Sequence, residues 1–303
     1  MGANTKTIKT RISSVKNIKK ITKAMELVSA AKMKRAVDHA LNTRSYAELS
    51  LELLINISKE KNLDHPLLAQ RKKDKVLCLV IASNKGLCGG FNSNISKLVY
   101  NFIKENSDKQ KIDFITVGKK AEHIVKKTKQ KVIASFIDFP DNIHLDDISG
   151  LTKIIIDEFS AGSYDRVVMI YTNFISSIKN EALEQKLLPI SEKCVKKMIS
   201  QLGKGGIEES DMRLKNMALY LFEPSQESIL SEVLPRLTEV QIYQALLESS
   251  ASEHSARMMA MKNAGDSATD MIDELSLSFN QARQAAITQE IAEIVGGSIA
   301  LNN

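Results

Sequence analysis

A chain of 303 residues, 43% of them hydrophobic, can bury one large or two modest cores; only 5 Pro and 13 Gly, with no Trp, favour long helices over an all-β fold. The net charge of +6 is unevenly divided: residues 1–35 carry ten Lys or Arg against Glu26 alone, net +9, whereas residues 226–303 carry four basic and eleven acidic side chains, net −7. The longest unbroken apolar run, Val76 to Ala82, falls well short of the roughly 20 residues of a bilayer span, and no secretory-signal core follows the basic N-terminus.

From Asn4 to about Ser58 there is no Pro and no Gly. Ile8, Ile12, Val15, Ile18, Met25 and Val28 recur mostly at steps of three and four, with Ser, Lys and Arg between them. This predicts one amphipathic helix, stopping near Pro66. A basic amphipathic N-terminus is also the character of a mitochondrial transit peptide, but here the period continues for dozens of residues.

The middle of the chain changes period. Val76 to Ala82 reads as a buried strand, Phe91 to Asn106 as a helix, Lys111 to Val117 as a strand and Lys119 to Lys127 as a helix. Val132 to Ile137 is then a strand, Asp146 to Phe159 a helix and Arg166 to Thr172 a strand. Such alternation predicts a doubly wound, largely parallel, Rossmann-like sheet over residues 75–222. Glu181 to Ile190 and Met217 to Phe222 are candidate edge strands, and Gly203 to Ser210 a polar loop.

From Ser225 the helical period returns and holds to Leu301, with Pro235 a possible kink. Val240, Leu247, Ala251, His254, Met258, Met261, Gly265, Ala268, Ile272, Leu275, Phe279, Ala282 and Ala286 fall on alternating steps of three and four, with Gln244 and Gln289 in the two gaps. That is a coiled-coil seam of small and flexible residues. At 1.5 Å per residue the first helix is roughly 80 Å long and the last roughly 110 Å, too long for one compact domain. The expected organisation is an N-terminal shaft helix over 1–60 and an inserted α/β domain over 75–222. A C-terminal shaft helix over 225–303 then returns antiparallel to the first.

In the corresponding register Ile8 reaches about Ser276, so Leu277 to Leu301 projects alone for roughly 35 Å. Its Phe279, Ile287, Ile291, Ile294, Val295 and Ile299 then need an outside partner. The excess positive charge of residues 1–35 is only partly met by the facing stretch, which leaves a basic collar of about +7 and points to an acidic partner.

Few residues resemble chemistry. Ser83 to Asn92 is a Gly-rich turn between a strand and a helix, but it matches neither phosphate-loop nor dinucleotide spacing. A tight turn with close helix–sheet packing explains it as well. Cys78, Cys88 and Cys194 form no CxxC pair, and the five His are scattered without ligand spacing. No metal, cofactor or catalytic group is expected. Asp146 and Asp147 suit a helix start better than acid–base work. The basic helix lacks the interleaved aromatics of a nucleic-acid surface. A free-standing coiled-coil adaptor and a nucleotide-dependent enzyme remain the alternatives on these residues alone.

Four strings carry a resemblance. They are Ile8 to Met33, Gly86 to Gly90, Glu253 to Ala264 and Asn280 to Gly297. In this order, and over nearly the whole chain, the sequence resembles the gamma-subunit family of F-type ATP synthases, in its bacterial form. The resemblance implies a non-catalytic rotor shaft in the cavity of an alpha3beta3 hexamer, with the α/β domain bound to the epsilon subunit and the c-ring. It implies coupling of ion flow to the beta-subunit catalytic sites, regulation of ATPase activity and proton flow, and a peripheral place on the cytoplasmic side of the inner membrane. By the same resemblance Lys19, Lys20, Lys23 and Met25 match a neck facing the acidic loop of the beta subunits. Arg283 and Gln284 match polar positions near the tip. Cys194 stands alone, so the redox cysteine pair of photosynthetic eukaryotes is not expected.

Overall fold

The structure is a computed structural model describing residues 2–42, 65–71, 74–106, 110–137, 139–140, 143–190 and 226–301. The elements are α1 (Gly2–Asn42), β1 (Lys75–Ile81), α2 (Phe91–Asn106), β2 (Lys111–Val117), α3 (Lys119–Lys127), β3 (Lys131–Phe136), α4 (Ser149–Ser160), β4 (Arg166–Phe174), β5 (Asn180–Leu188) and α5 (Gln226–Leu301). A 3₁₀ turn, Leu145–Ile148, leads into α4. The backbone NH of His144 donates to Asp147 Oδ2 at 2.8 Å, so this aspartate caps the turn. The expected end of the first helix near Ser58, the strand Met217 to Phe222 and the loop Gly203 to Ser210 lie outside the described residues.

The chain divides into two compact units, one of residues 1–29 with 258–303, the other of residues 30–257. Among the described residues the second contains a five-stranded sheet ordered β3-β2-β1-β4-β5. The first four strands are parallel; β5, the Glu181 to Ile190 candidate, pairs antiparallel with β4 at the edge. Two-residue alternation sorts the strands onto two faces. Val76, Cys78 and Val80 pack with Ile95, Val99 and Phe102 of α2 and Val125 of α3. Leu77, Leu79 and Ile81 pack on the other face with Ile155 and Phe159 of α4 and with Leu234, Leu237 and Leu247 of α5. Helices on both faces explain why the central strands read as continuous apolar runs.

Gly118 makes the turn from β2 into α3. Its φ is +92°, and a Cβ there would sit 2.2 Å from the Ala82 carbonyl oxygen, so only glycine fits. Pro235 falls inside α5 without ending it.

The other unit is the antiparallel pairing of the start of α1 with the end of α5. Along this end of α5 the shielded positions include Met261, Gly265, Ala268, Ile272, Leu275, Phe279, Ala282 and Ala286, with Ala264, Thr269 and Ser276 beside them. On α1 the shielded positions include Ile8, Ile12, Val15, Thr22, Met25 and Ser29, whereas Ile18 and Val28 are exposed. Thr22 and Ser29, only 7% and 3% exposed, occupy the seam where larger side chains would hold the helices apart. A Cβ on Gly265 would lie 3.4 Å from Thr22 Oγ1. That contact is less than one turn from the register in which Ile8 reaches Ser276.

Candidate functional site

The surfaces with functional potential are the basic face of α1, the far end of α5, and the junction of α5 with the Gly-rich turn. On α1, Lys16, Lys19, Lys20 and Lys23 fall at steps of three and four, so they form one stripe. All four are exposed, and Met25 is half-buried. The Lys23 ammonium contacts both carboxylate oxygens of Glu26 at 3.0 Å. Among the described residues neither Lys19 nor Lys20 makes an ion pair. The stripe therefore keeps a net positive charge and presents it to solvent.

At the far end of α5, Arg283 and Gln284 are exposed. So are Leu277, Ile287, Ile291, Ile294 and Val295, with Ile294 66% accessible. At 3.6 residues per turn these five fall within an arc of about 100°, so they form one apolar stripe that water solvates poorly.

The seam candidates separate by place. Ile8, Ile12, Val15, Met258, Met261, Ile272 and Leu275 lie in the paired-helix unit, shielded to intermediate or full burial. Val240 and Leu247 are buried inside the α/β unit, and Leu247 belongs to the cluster against the sheet. Residues 240–249 are buried on every face of α5. Spacing of three and four cannot separate such a stretch from a coiled-coil seam.

The Gly-rich turn closes on itself. Asn92 Nδ2 donates to Ser83 Oγ (2.8 Å) and Cys88 Sγ (3.1 Å), Ser83 Oγ donates to the Lys85 carbonyl (2.7 Å), and Ser83 N donates to Asn92 Oδ1 (3.3 Å). Leu87 and Gly89 both adopt positive φ, 62° and 54°. The Ser83 hydroxyl and the Asn92 amide are thus engaged inside the turn. Among the described residues no group of three His, Cys, Asp or Glu is placed to hold a metal ion.

Sequence reasoning missed two features of α5. The first is Arg257, whose guanidinium contacts Glu253 Oε1 at 2.5 Å, His254 Nδ1 at 3.2 Å and the Gly86 carbonyl at 3.3 Å, so it ties α5 to the turn. The Glu–Arg spacing of four was its only sequence signal. The second is a polar row, Gln241, Gln244, Glu248, Ser252 and Ser255, buried under the sheet. Ser252 Oγ donates to the Thr172 carbonyl at 3.3 Å, and Ser255 Oγ to the Ser177 carbonyl at 2.6 Å. Gln244 Nε2 donates to Glu248 Oε1 at 3.0 Å, while Glu248 Oε2 and both polar atoms of Gln241 have no hydrogen-bond partner among the described residues. Burial pushes the Glu248 carboxyl up to about 7, against the opposing pull of the Gln244 amide and the Tyr171 hydroxyl.

A family model described as ATP synthase matches residues 4–301. The chain is 39% identical to the ATP synthase gamma chain of Polynucleobacter necessarius over 301 residues, covering 99% of this chain and 100% of that one. It is 38% identical to the ATP synthase gamma chain of Heliobacterium modesticaldum over 295 residues, covering 97% of this chain and 98% of the other. Among solved structures, a chain of the Tetrahymena thermophila mitochondrial ATP synthase central stalk and c-ring is 27% identical, with a TM-score of 0.58, covering 80% of this chain and 99% of that one. A chain of the Euglena gracilis mitochondrial ATP synthase assembly of OSCP, F1 and c-ring shares the fold, with a TM-score of 0.64 at 19% identity over 99% of this chain and 95% of that one. With a family match over nearly its full length and bacterial relatives close to 40% identical, the chain belongs to the ATP synthase gamma-chain family.

Proposed function

We propose that the chain is the central-stalk rotor subunit of a bacterial F-type ATP synthase and supplies no catalytic group of its own. In this reading the paired helices turn inside an alpha3beta3 hexamer, and the α/β unit binds the epsilon subunit and the c-ring. Rotation driven by proton flow through the ring then carries the beta-subunit sites through their states in succession. The same shaft, by resisting or permitting rotation, regulates ATPase activity and proton flow. The complex places the chain on the cytoplasmic face of the inner membrane as a peripheral subunit; no helix among the described residues is long and apolar enough to cross a membrane.

The observation that supports this reading most directly is the exposed apolar end of α5, with Leu277, Ile287, Ile291, Ile294 and Val295 open to solvent. Burying each such side chain stabilises by roughly 1.5–3 kcal/mol, so a sleeve around this helix has a substantial driving force. Lys19, Lys20, Lys23 and Met25 on α1, with Arg283 and Gln284 on α5, are the proposed contacts to the surrounding beta subunits. Affinity purification of the tagged chain from its source membrane tests the proposal. A rotor brings down alpha and beta subunits, three of each per copy, with epsilon. A chain that elutes alone, or with equal numbers of one other protein, refutes it.

A further inference from the structure

The α/β unit contains a cavity of about 350 Å³ at the carboxyl ends of β1 and β2, where Ile81, Ala82, Val117 and Gly118 form its floor. This is the edge at which open parallel sheets take their ligands, and the volume is within the range of small-molecule sites. Its walls differ in chemistry. One is apolar, from Phe139 and Ile143 after β3 and Leu246 of α5. The other carries the basic groups Lys32 of α1, Lys85 of the Gly-rich turn and Arg257 of α5, with Glu253 the acidic residue among them.

Two observations give the cavity a sign. Three cationic side chains against one carboxylate leave a positive excess, and Arg257 is fixed by its contacts to Glu253 and the Gly86 carbonyl. The N-terminus of α3 begins at the floor, immediately after Gly118, and adds its positive dipole end. Its first two amides are already engaged, Lys119 N by Asn84 Oδ1 at 3.0 Å and Lys120 N by the Ser83 carbonyl at 3.0 Å. A polyphosphate would therefore meet the dipole of α3 but not its first two amides, whereas a single carboxylate beside an apolar body meets both walls. We propose that this cavity is a binding site for a small organic monoanion, a carboxylate carried on an aromatic or branched aliphatic group.

Titration of the full chain, methyl-labelled at Ile, Leu and Val, tests this with benzoate as the probe and benzyl alcohol and inorganic phosphate as controls. The expected result is saturable shifts of the Ile81, Val117, Ile143 and Leu246 methyls by benzoate, with a Kd below about 10 mM. Benzyl alcohol should bind at least about tenfold more weakly, because it lacks the charge. Lys85 is exposed and outside either core cluster, so Lys85→Glu should keep the methyl spectrum of the folded chain while weakening benzoate about tenfold. Absence of saturation overturns the proposal. So does benzyl alcohol binding as tightly as benzoate, phosphate saturating the same methyls as tightly, or Lys85→Glu leaving benzoate binding unchanged.

Discussion

Replacing Glu248 by Gln should stabilise the α/β unit above neutral pH and leave it nearly unchanged in mild acid. The carboxyl is 6% exposed, between α5 and the sheet, with one oxygen bonded to Gln244 and the other without a partner among the described residues. The groups facing it are Gln241 and Gln244 on its own helix and the Tyr171 hydroxyl on β4; that hydroxyl donates to Gln185 of β5 at 3.0 Å. No cation is among them, so the Gln244 amide and the Tyr171 hydroxyl offset only part of the cost of ionisation. The folded carboxyl titrates near 7 against 4.5 for the free group. Because the folded value is the higher one, the native state holds the proton more tightly. The favourable contribution is complete below pH 4.5 and disappears as pH rises through 7. Over that window the loss is roughly 3 kcal/mol at about 1.4 kcal/mol per unit. Urea unfolding of the wild-type and Glu248→Gln chains at pH 5 and pH 8 should show the variant's advantage growing by about 2–3 kcal/mol. A carboxyl carbon resonance of Glu248 titrating near 7 would report the same group directly. Parallel pH profiles for the two chains, or a midpoint near 4.5, would refute the reasoning and mean that water reaches the carboxyl.

Gly118→Ala should cost at least about 2 kcal/mol in thermal unfolding, because its Cβ meets the Ala82 carbonyl at 2.2 Å, whereas Gly86→Ala, with nothing within 4 Å, should stay within about 0.5 kcal/mol. Reversing Lys19, Lys20 and Lys23 to Glu should lower ATP-driven proton pumping of the reconstituted complex at low salt, with an unchanged circular dichroism spectrum of the free chain; normal pumping would make the stripe a solvated surface only. Amides beyond Leu277 should exchange quickly in the free chain and slowly in the assembled complex, and equally strong protection in both states would remove the need for a sleeve.

The α/β unit was legible because its strands are covered on both faces and so appear as unbroken apolar runs, Val76 to Ala82 the clearest. Strand direction was less accessible. Nothing in Asn180–Leu188 itself distinguishes an antiparallel edge from another parallel crossover; the short hairpin of residues 175–179 before it decides the matter. Apolar periodicity on α1 selected Ile18 and Val28, which the structure exposes, and passed over Thr22 and Ser29, which it buries. Hydrophobicity is a poor guide where helices approach closely, because small side chains fit whatever their polarity. The row Gln241–Gln244–Glu248 was invisible for the opposite reason. Three polar residues on one helix face normally mark a solvated surface, and only the sheet above them turns them into a buried network.

The small residues of the helix pair also have a mechanical meaning. In a two-stranded rod, stiffness against bending in the plane of the strands rises steeply with the distance between their axes. Thr22 and Ser29 on one strand and Gly265 and Ala268 on the other draw those axes together, as the 3.4 Å approach at Gly265 records. A seam of Leu and Ile would hold the strands further apart and give a more rigid lever. A pair with its axes this close bends more readily in that plane than one spaced by Leu and Ile.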